Sequence, residues 1–348
     1  MVVWGAVTIT FVWANSPMAF YVLRLLLGVA EAGFFPGIVY YLKHWFPQQG
    51  RAKAIAGFMI AAPLGSIIVA PLSSLTMVGM NNALGLHGWQ WLFITQGVPA
   101  ILLGVFVYFR LPNLPQNAAW LSVKEKMALT KVLEAERSFG SSANRWSWED
   151  LRSVYLWKIM MAYLALLAAT YGVTFWLPTF LLEQGSLGLK DVGTFAMIPA
   201  FASLAGMAIA GYLCDRFVAY RRIILMAMTF GGAVAALSLA LAQANLAIYL
   251  IEISIMMGLV SGSLVTYWTT ISDDLGSNNA AFKIALVNTI GNLGGLVGAW
   301  AVGWFRGFGG MPWAYAFIAG AMAICFAMCA MTRNHLPHRR SLNTTRVT

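Results

Sequence analysis

The sequence predicts an all-α, polytopic membrane protein. Three observations predict it: too little charge for a soluble domain, a succession of apolar stretches near the length of a bilayer crossing, and a lopsided distribution of Lys and Arg. Of the 348 residues, 60% are hydrophobic and 10% are charged, with a mean hydropathy of +0.73; soluble domains carry roughly 25% charged residues. A crossing helix needs ~20 mainly apolar residues. Ten such stretches follow one another: Val2 to Trp13, Phe20 to Tyr41, Ala54 to Met77, Trp89 to Phe109, Met160 to Leu182, Val192 to Leu213, Ile223 to Leu241, Ala247 to Ile271, Ala285 to Phe305 and Trp313 to Met331. The first is short for a full crossing and opens directly at Met1, so an upstream portion is expected.

The basic residues orient these spans, because Lys and Arg accumulate in cytoplasmic loops. Nineteen of the 22 fall in alternate loops, the tail after Met331 included; Lys190 and Arg306 lie on the other side and Arg24 lies within a span. The C-terminus is therefore expected in the cytoplasm. The net charge of +10 is spread over many short loops, which reads as topology and not as a nucleic-acid footprint.

Residues 110–158 break the apolar pattern. They open on Leu-Pro-Asn-Leu-Pro and contain a charged helical stretch, Leu121 to Arg137, in which Ser122 and Glu125 form a capping-box pattern. The expected organisation is a four-helix transmembrane half over 1–109, a cytoplasmic linker over 110–158, a six-helix half over 159–332 and a cytoplasmic tail over 333–348. No signal peptide is evident, since the first span has neither a basic leader nor a small-residue cleavage site.

Arg24 and Glu31 stand inside the second span. Charges at bilayer depth cost several kcal/mol unless they face a bundle interior or an aqueous cavity, and they are functional candidates by default. Seven residues bring a helix within roughly 20° of two full turns, placing both groups on one stripe ~10 Å apart. The pair offers a fixed cation for an anionic ligand and a carboxylate able to carry a proton; the alternative is that each pairs with a neighbouring helix to hold the bundle together.

Other motifs are weaker. Gly211 to Arg222 is a cytoplasmic turn holding Gly211, Asp215, Arg216, Arg221 and Arg222, in which the Gly permits close helix approach and the charges form a latch, or else a positive-inside loop with an incidental acid. In the ninth span Asn288 and Asn292 share a face among Gly291, Gly294, Gly295 and Gly298, and bond either a ligand or another helix. The fifth span supplies the Tyr171 hydroxyl, a kink at Pro178, and Trp176 as an interfacial anchor. Glu252 lies about two turns from the outer end of its span, near enough to reach water by snorkelling. Cys214, Cys325 and Cys329 have neither disulfide nor metal spacing, so no metal site is expected. No Walker signature and no hydrolytic constellation is present, which argues against an ATP-driven pump and against an enzyme.

Taken together, Tyr21 to Gly37 with its Arg24 and Glu31, Tyr41 to Pro47 followed by Arg51-Ala-Lys53, Gly88 to Phe93, Asp215-Arg216 and Ile290 to Gly295 resemble the major facilitator superfamily, specifically its anion:cation symporter family. That family holds bacterial permeases for tartrate, other sugar acids and aromatic acids such as 4-hydroxyphenylacetate. The resemblance covers nearly the whole chain. It implies twelve helices in two halves, of which this chain carries about ten and lacks the first two, and alternating access powered by the proton gradient with no cofactor. By the same resemblance Arg24 contacts the substrate carboxylate and Glu31 couples the proton; the side chains of Tyr171, Asn288 and Asn292 are read from their own chemistry as the hydroxyl and amide partners of the substrate. The implied protein is a monomeric symporter of the bacterial inner membrane, whose partners are a small organic anion, a proton and the bilayer. A tartrate-like hydroxy acid or sugar acid is the expected substrate; an aromatic acid, or a truncated relic with a structural or regulatory role, are the alternatives.

Overall fold

A computed structural model of the chain describes residues 1–47, 54, 58, 61–139, 152–183, 187–241, 245–274 and 280–332. Among these the regular structure is entirely helical: α1 (Val2–Thr10), α2 (Pro17–Glu31), α3 (Phe34–Trp45), α4 (Ala61–Gly79), α5 (Gly88–Arg110), α6 (Val123–Phe139), α7 (Val154–Glu183), α8 (Leu189–Phe195), α9 (Met197–Arg216), α10 (Arg221–Leu241), α11 (Leu246–Asp274), α12 (Ala280–Gly309) and α13 (Met311–Ala330). Seven stretches of described helix are long and apolar enough to cross a membrane, the α8–α9 pair counting as one, while Val2–Trp13 and Leu64–Gly79 are apolar but shorter.

The chain forms two units. The first comprises Met1–Ala143 with Leu187–Met197, and the second Asn144–Ser186 with Ile198–Thr348.

In the first unit α1 lies against α5 through small residues. A Cβ on Gly5 would stand 2.9 Å from the Gly97 carbonyl oxygen, and one on Gly97 would stand 2.8 Å from the Gly5 oxygen. Such reciprocal contact needs glycine on both helices, the device by which membrane helices gain packing without a hydrophobic driving force. Helix α8 meets α4 similarly, with Gly193 against Ser74 and the Ala70 carbonyl.

The second expected span, Phe20 to Tyr41, is not one helix. It divides at Ala32–Gly33 into α2 and α3, with the ladder kept on either side by Ala32 N–H to Gly28 O at 2.9 Å and Gly37 N–H to Gly33 O at 3.0 Å. The residue that should donate to the Ala32 carbonyl is Pro36, which has no N–H. The sixth span is likewise interrupted at Ala196, where Pro199 leaves the Phe195 carbonyl without its helical donor. Lys283, read from the sequence as a loop residue, lies inside α12, which begins at Ala280.

In the second unit α7 and α12 run together closely. A Cβ on Gly294 would lie 2.0 Å from the Leu164 carbonyl oxygen, and one on Gly298 would lie 2.0 Å from that of Ala168. Around this pair α10 packs on α11 and α13, and α13 packs on α7. Tyr267, Tyr315, Phe180 and Leu166 are among the side chains fully buried in the resulting core.

Candidate functional site

Sequence reasoning distributes the candidate residues over both units, and each set is described within its own unit. In the first, Ser16 begins α2 by accepting from the Ala19 N–H at 3.2 Å, with Pro17 in the first turn, an N-cap followed by the residue best suited to the first helical position. The helix then runs unbroken to Glu31 and buries none of its residues. Arg24 and Glu31 therefore lie on one continuous helix, seven residues apart, both exposed. The Arg24 guanidinium sits 5.7 Å from the Phe11 ring centroid, and Phe11 is itself stacked on Phe93 at 4.7 Å and edge-on to Phe20 at 5.5 Å. An exposed cation–π contact is worth about 0.5–1 kcal/mol, enough to bias the side chain without neutralising it. Among the described residues neither Arg24 nor Glu31 has an ion-pair or hydrogen-bond partner, so the pairing that would make them bundle struts is not seen there. Glu31 is the last residue before the break.

In the second unit Tyr171, on α7, is 38% exposed, stacked on Phe175 with ring centroids 5.6 Å apart and set against Gly295 of α12. One turn further along α12, Gly291 faces Tyr163. Tyr163 stacks on Tyr267 at 5.0 Å and its hydroxyl accepts from Trp268 Nε1 at 3.1 Å. Asn292 is exposed and Asn288 half-buried, and among the described residues neither amide makes a hydrogen bond. The interhelical bond that was their alternative role is thus not seen among the described residues, and the neighbour admitted by the glycines is α7. Tyr163 and Tyr267 were missed in the sequence; the signal for Tyr163 is a glycine more than a hundred residues away, which has meaning once α7 and α12 are known to touch, and Tyr267 follows only from its stacking on Tyr163.

Several expectations are corrected. Trp176 has partners within the protein: it is half-buried, donates Nε1 to the Ala299 carbonyl at 2.9 Å and fits against Gly303. Beyond it Arg306 lies 5.4 Å from the Trp176 ring and gives Nε to Glu183 Oε1 at 2.6 Å, so α7 is pinned to α12 at the C-terminal ends of both helices. Glu252 does not snorkel. Its Oε1 accepts from Ser238 Oγ at 3.0 Å, while Oε2 is buried with no partner among the described residues.

The turn after α9 also differs in its reasons. Gly211 permits no close approach, since a Cβ there would meet nothing within 4 Å. Arg221 Nε donates to the Cys214 carbonyl at 2.9 Å, and Arg222 donates to the Cys329 carbonyl and the Thr332 hydroxyl. These arginines satisfy orphan carbonyls at the ends of α9 and α13. Asp215 and Arg216 are exposed, and among the described residues Asp215 makes no ion pair. Lys158 Nζ completes the end of α13 by donating to the Met331 carbonyl at 3.1 Å.

Comparison with known proteins bears on this arrangement. The sequence model described as Major Facilitator Superfamily matches residues 1–299. The putative metabolite transport protein NicT of Pseudomonas putida is 33% identical over 95% of this chain and 76% of its own. A putative tartrate transporter of Agrobacterium vitis is 34% identical over 93% of this chain and 72% of its own. Among solved structures, a bacterial homologue of the human lysosomal transporter Spinster, inward-facing and unoccupied, superposes with a TM-score of 0.64 over 94% of this chain and 79% of its own, at 15% identity; at that identity the likeness is one of fold.

Proposed function

The chain belongs to the Major Facilitator Superfamily, whose members are membrane transporters and not enzymes, and we propose that it carries a small organic anion together with a proton, as an anion:cation symporter of the bacterial inner membrane with its C-terminus in the cytoplasm. The observation that carries this reading is α2: a fixed cation and a carboxylate on one unbroken helix, both exposed and both without counter-ions among the described residues, with the carboxylate at a helix break. Broken helices are where transporters build ion and substrate sites. Arg24 receives the substrate carboxylate through its planar fork, Glu31 takes the proton, and Tyr171, Asn288 and Asn292 supply hydroxyl and amide partners to the rest of the ligand. The exposed Asp215 and Arg216 at the turn after α9 are the proposed conformational latch, beside Arg221 and Arg222, which hold the ends of α9 and α13.

The energetic logic is cancellation of charge. A carboxylate on Arg24 and a proton on Glu31 each cancel one charge within the span, so the fully loaded carrier crosses between states that the half-loaded carrier disfavours. A tartrate-like hydroxy acid or sugar acid suits the free amides of Asn288 and Asn292, and the tartrate transporter among the relatives supports that class. A second reading, an aromatic acid, is favoured by one observation: the stacked rings of Tyr171 and Phe175 are 38% and 62% exposed, a ready face for a planar ligand.

The test is uptake into proteoliposomes with labelled tartrate, galacturonate and 4-hydroxyphenylacetate. Arg24→Ala removes a charge-assisted bond worth about 1.5–3 kcal/mol and should weaken binding of the transported acid about 10- to 150-fold. Arg24→Lys should rescue poorly, because an ammonium lacks the fork. Glu31→Gln should abolish proton-driven accumulation while exchange of labelled for unlabelled substrate persists. Retained accumulation in Glu31→Gln would overturn coupling at this residue, and unchanged affinity in Arg24→Ala would overturn the substrate assignment.

A further inference from the structure

The segment that follows α5 turns back onto the end of α3. The Tyr41 hydroxyl donates to the Pro112 carbonyl at 3.2 Å, the Trp45 and Trp120 rings stack with centroids 5.7 Å apart, and Ala118 is fully buried. Trp45 is the last residue of α3. Three residues beyond Trp120, α6 begins, so its first turns are held by the end of α3 and follow closely on the end of α5, which is long and apolar enough to cross a membrane, within one and the same unit.

The side chains there have an unusual mixture of characters for a polar linker. Trp120 is 62% exposed, Val123 73% and Met127 69%. Val123, Met127 and Lys131 follow at four-residue intervals and share one stripe of the helix. Lys124 and Lys131 are exposed and Lys126 is half-buried, and Lys126 and Lys131 border the groove that Val123 and Met127 line with Gln116 and Glu134. The charged groups along this stretch are Lys124, Lys126 and Lys131, against Glu125 and Glu134, and Arg110 ends α5. Glu125 is turned back on Ser122, accepting from its N–H at 2.9 Å and its hydroxyl at 2.8 Å.

We propose that the exposed stripe Trp120–Val123–Met127, with Lys124, Lys126 and Lys131, is a docking surface for anionic phospholipid of the cytoplasmic leaflet, so that α6 lies in the headgroup layer and does not hang free in solvent. Apolar residues at one level flanked by lysines whose stems run along apolar surface are what an interfacial helix presents. The charge balance selects an acidic headgroup, and the Trp45–Trp120 stack fixes the depth, since Trp favours the membrane–water boundary. The proposal rests on the cytoplasmic placement of 110–158 and not on the identity of the transported anion or on Arg24 and Glu31.

The experiment uses the whole chain in lipid nanodiscs. The native Cys214, Cys325 and Cys329 are all buried, so Met127→Cys gives one accessible thiol for an environment-sensitive fluorophore. In discs of phosphatidylglycerol the label should emit as from an apolar setting and be quenched by lipid-borne quenchers. In phosphatidylcholine discs, or at high salt, it should emit as from water. Replacing Lys124, Lys126 and Lys131 by Gln should weaken retention about fivefold per lysine with an unchanged thermal midpoint. Water-like emission in both lipids would overturn the proposal. Equal shielding in both lipids would overturn it as well, because another part of the chain or a neutral surface would then be covering the stripe.

Discussion

The α7–α12 contact allows the sharpest quantitative test, through Gly298→Ala. A Cβ at position 298 would stand 2.0 Å from the Ala168 carbonyl oxygen and 2.6 Å from the Ala168 Cα, whereas ordinary contact begins at 3.4 Å. Both atoms are backbone, so no rotamer change relieves the clash and the helices must part by about 1.4 Å. Such a displacement stretches the Trp176–Ala299 hydrogen bond, now 2.9 Å, beyond bonding range. Overpacking costs about 1–3 kcal/mol and an interhelical polar contact in a membrane about 0.6 kcal/mol on average, giving a loss of roughly 2–4 kcal/mol. The control is Gly307→Ala on the same helix, where a Cβ meets nothing within 4 Å and the change should be neutral or slightly stabilising. Unfolding of the two purified variants by SDS titration compares them directly. Equal midpoints would refute the claim that backbone proximity at Gly298 holds α7 to α12.

Two further outcomes are expected. Asp215→Asn should slow transport about fivefold, a coupling near 1 kcal/mol, while substrate affinity stays within about twofold; an unchanged rate would make Asp215 an incidental loop acid. At the start of α6, the Ser122 N–H and hydroxyl hold the Glu125 carboxyl below its usual range. The helix support it provides is therefore complete above the ordinary carboxylate range and is lost as pH falls through the lowered folded value. Amide exchange in the first turn of α6 should rise over that window, and Glu125→Gln should abolish the pH dependence; the same dependence in the variant would exclude Glu125 as its source.

Most of the helices were legible in the sequence because each crossing announces itself by apolar length alone. The break at Ala32–Gly33 was legible in principle, since Pro36 and Gly33 both stand in the run, but hydropathy does not register a missing N–H. The Arg221 and Arg222 cluster was visible as a cytoplasmic turn. Its partners were not, because Arg222 reaches Cys329 and Thr332 across more than a hundred residues, and only packing of α10 on α13 joins them. The partner of Trp176 was hidden for a similar reason. A tryptophan near a helix end fits the aromatic belt, and nothing in its own segment points to the carbonyl it bonds on another helix. The glycines of α12 showed that something comes close; a single sequence does not say which helix.

The structure separates two kinds of helix, and the separation bears on how the proposed site works. Helix α12 meets α7 at Gly291, Gly294, Gly295, Gly298 and Gly303, and Arg306 with Glu183 closes the C-terminal end. Contacts to backbone atoms leave no slack, so this pair is suited to moving as a single body. Helix α2 buries none of its residues and is interrupted just beyond Glu31, and its cation is steadied chiefly by the face of one aromatic ring. The charged stripe ends at that interruption, where Pro36 offers no N–H to the Ala32 carbonyl. Glu31 therefore stands beside a break in the helical ladder, and the amides of Asn288 and Asn292 stand on the helix least able to yield.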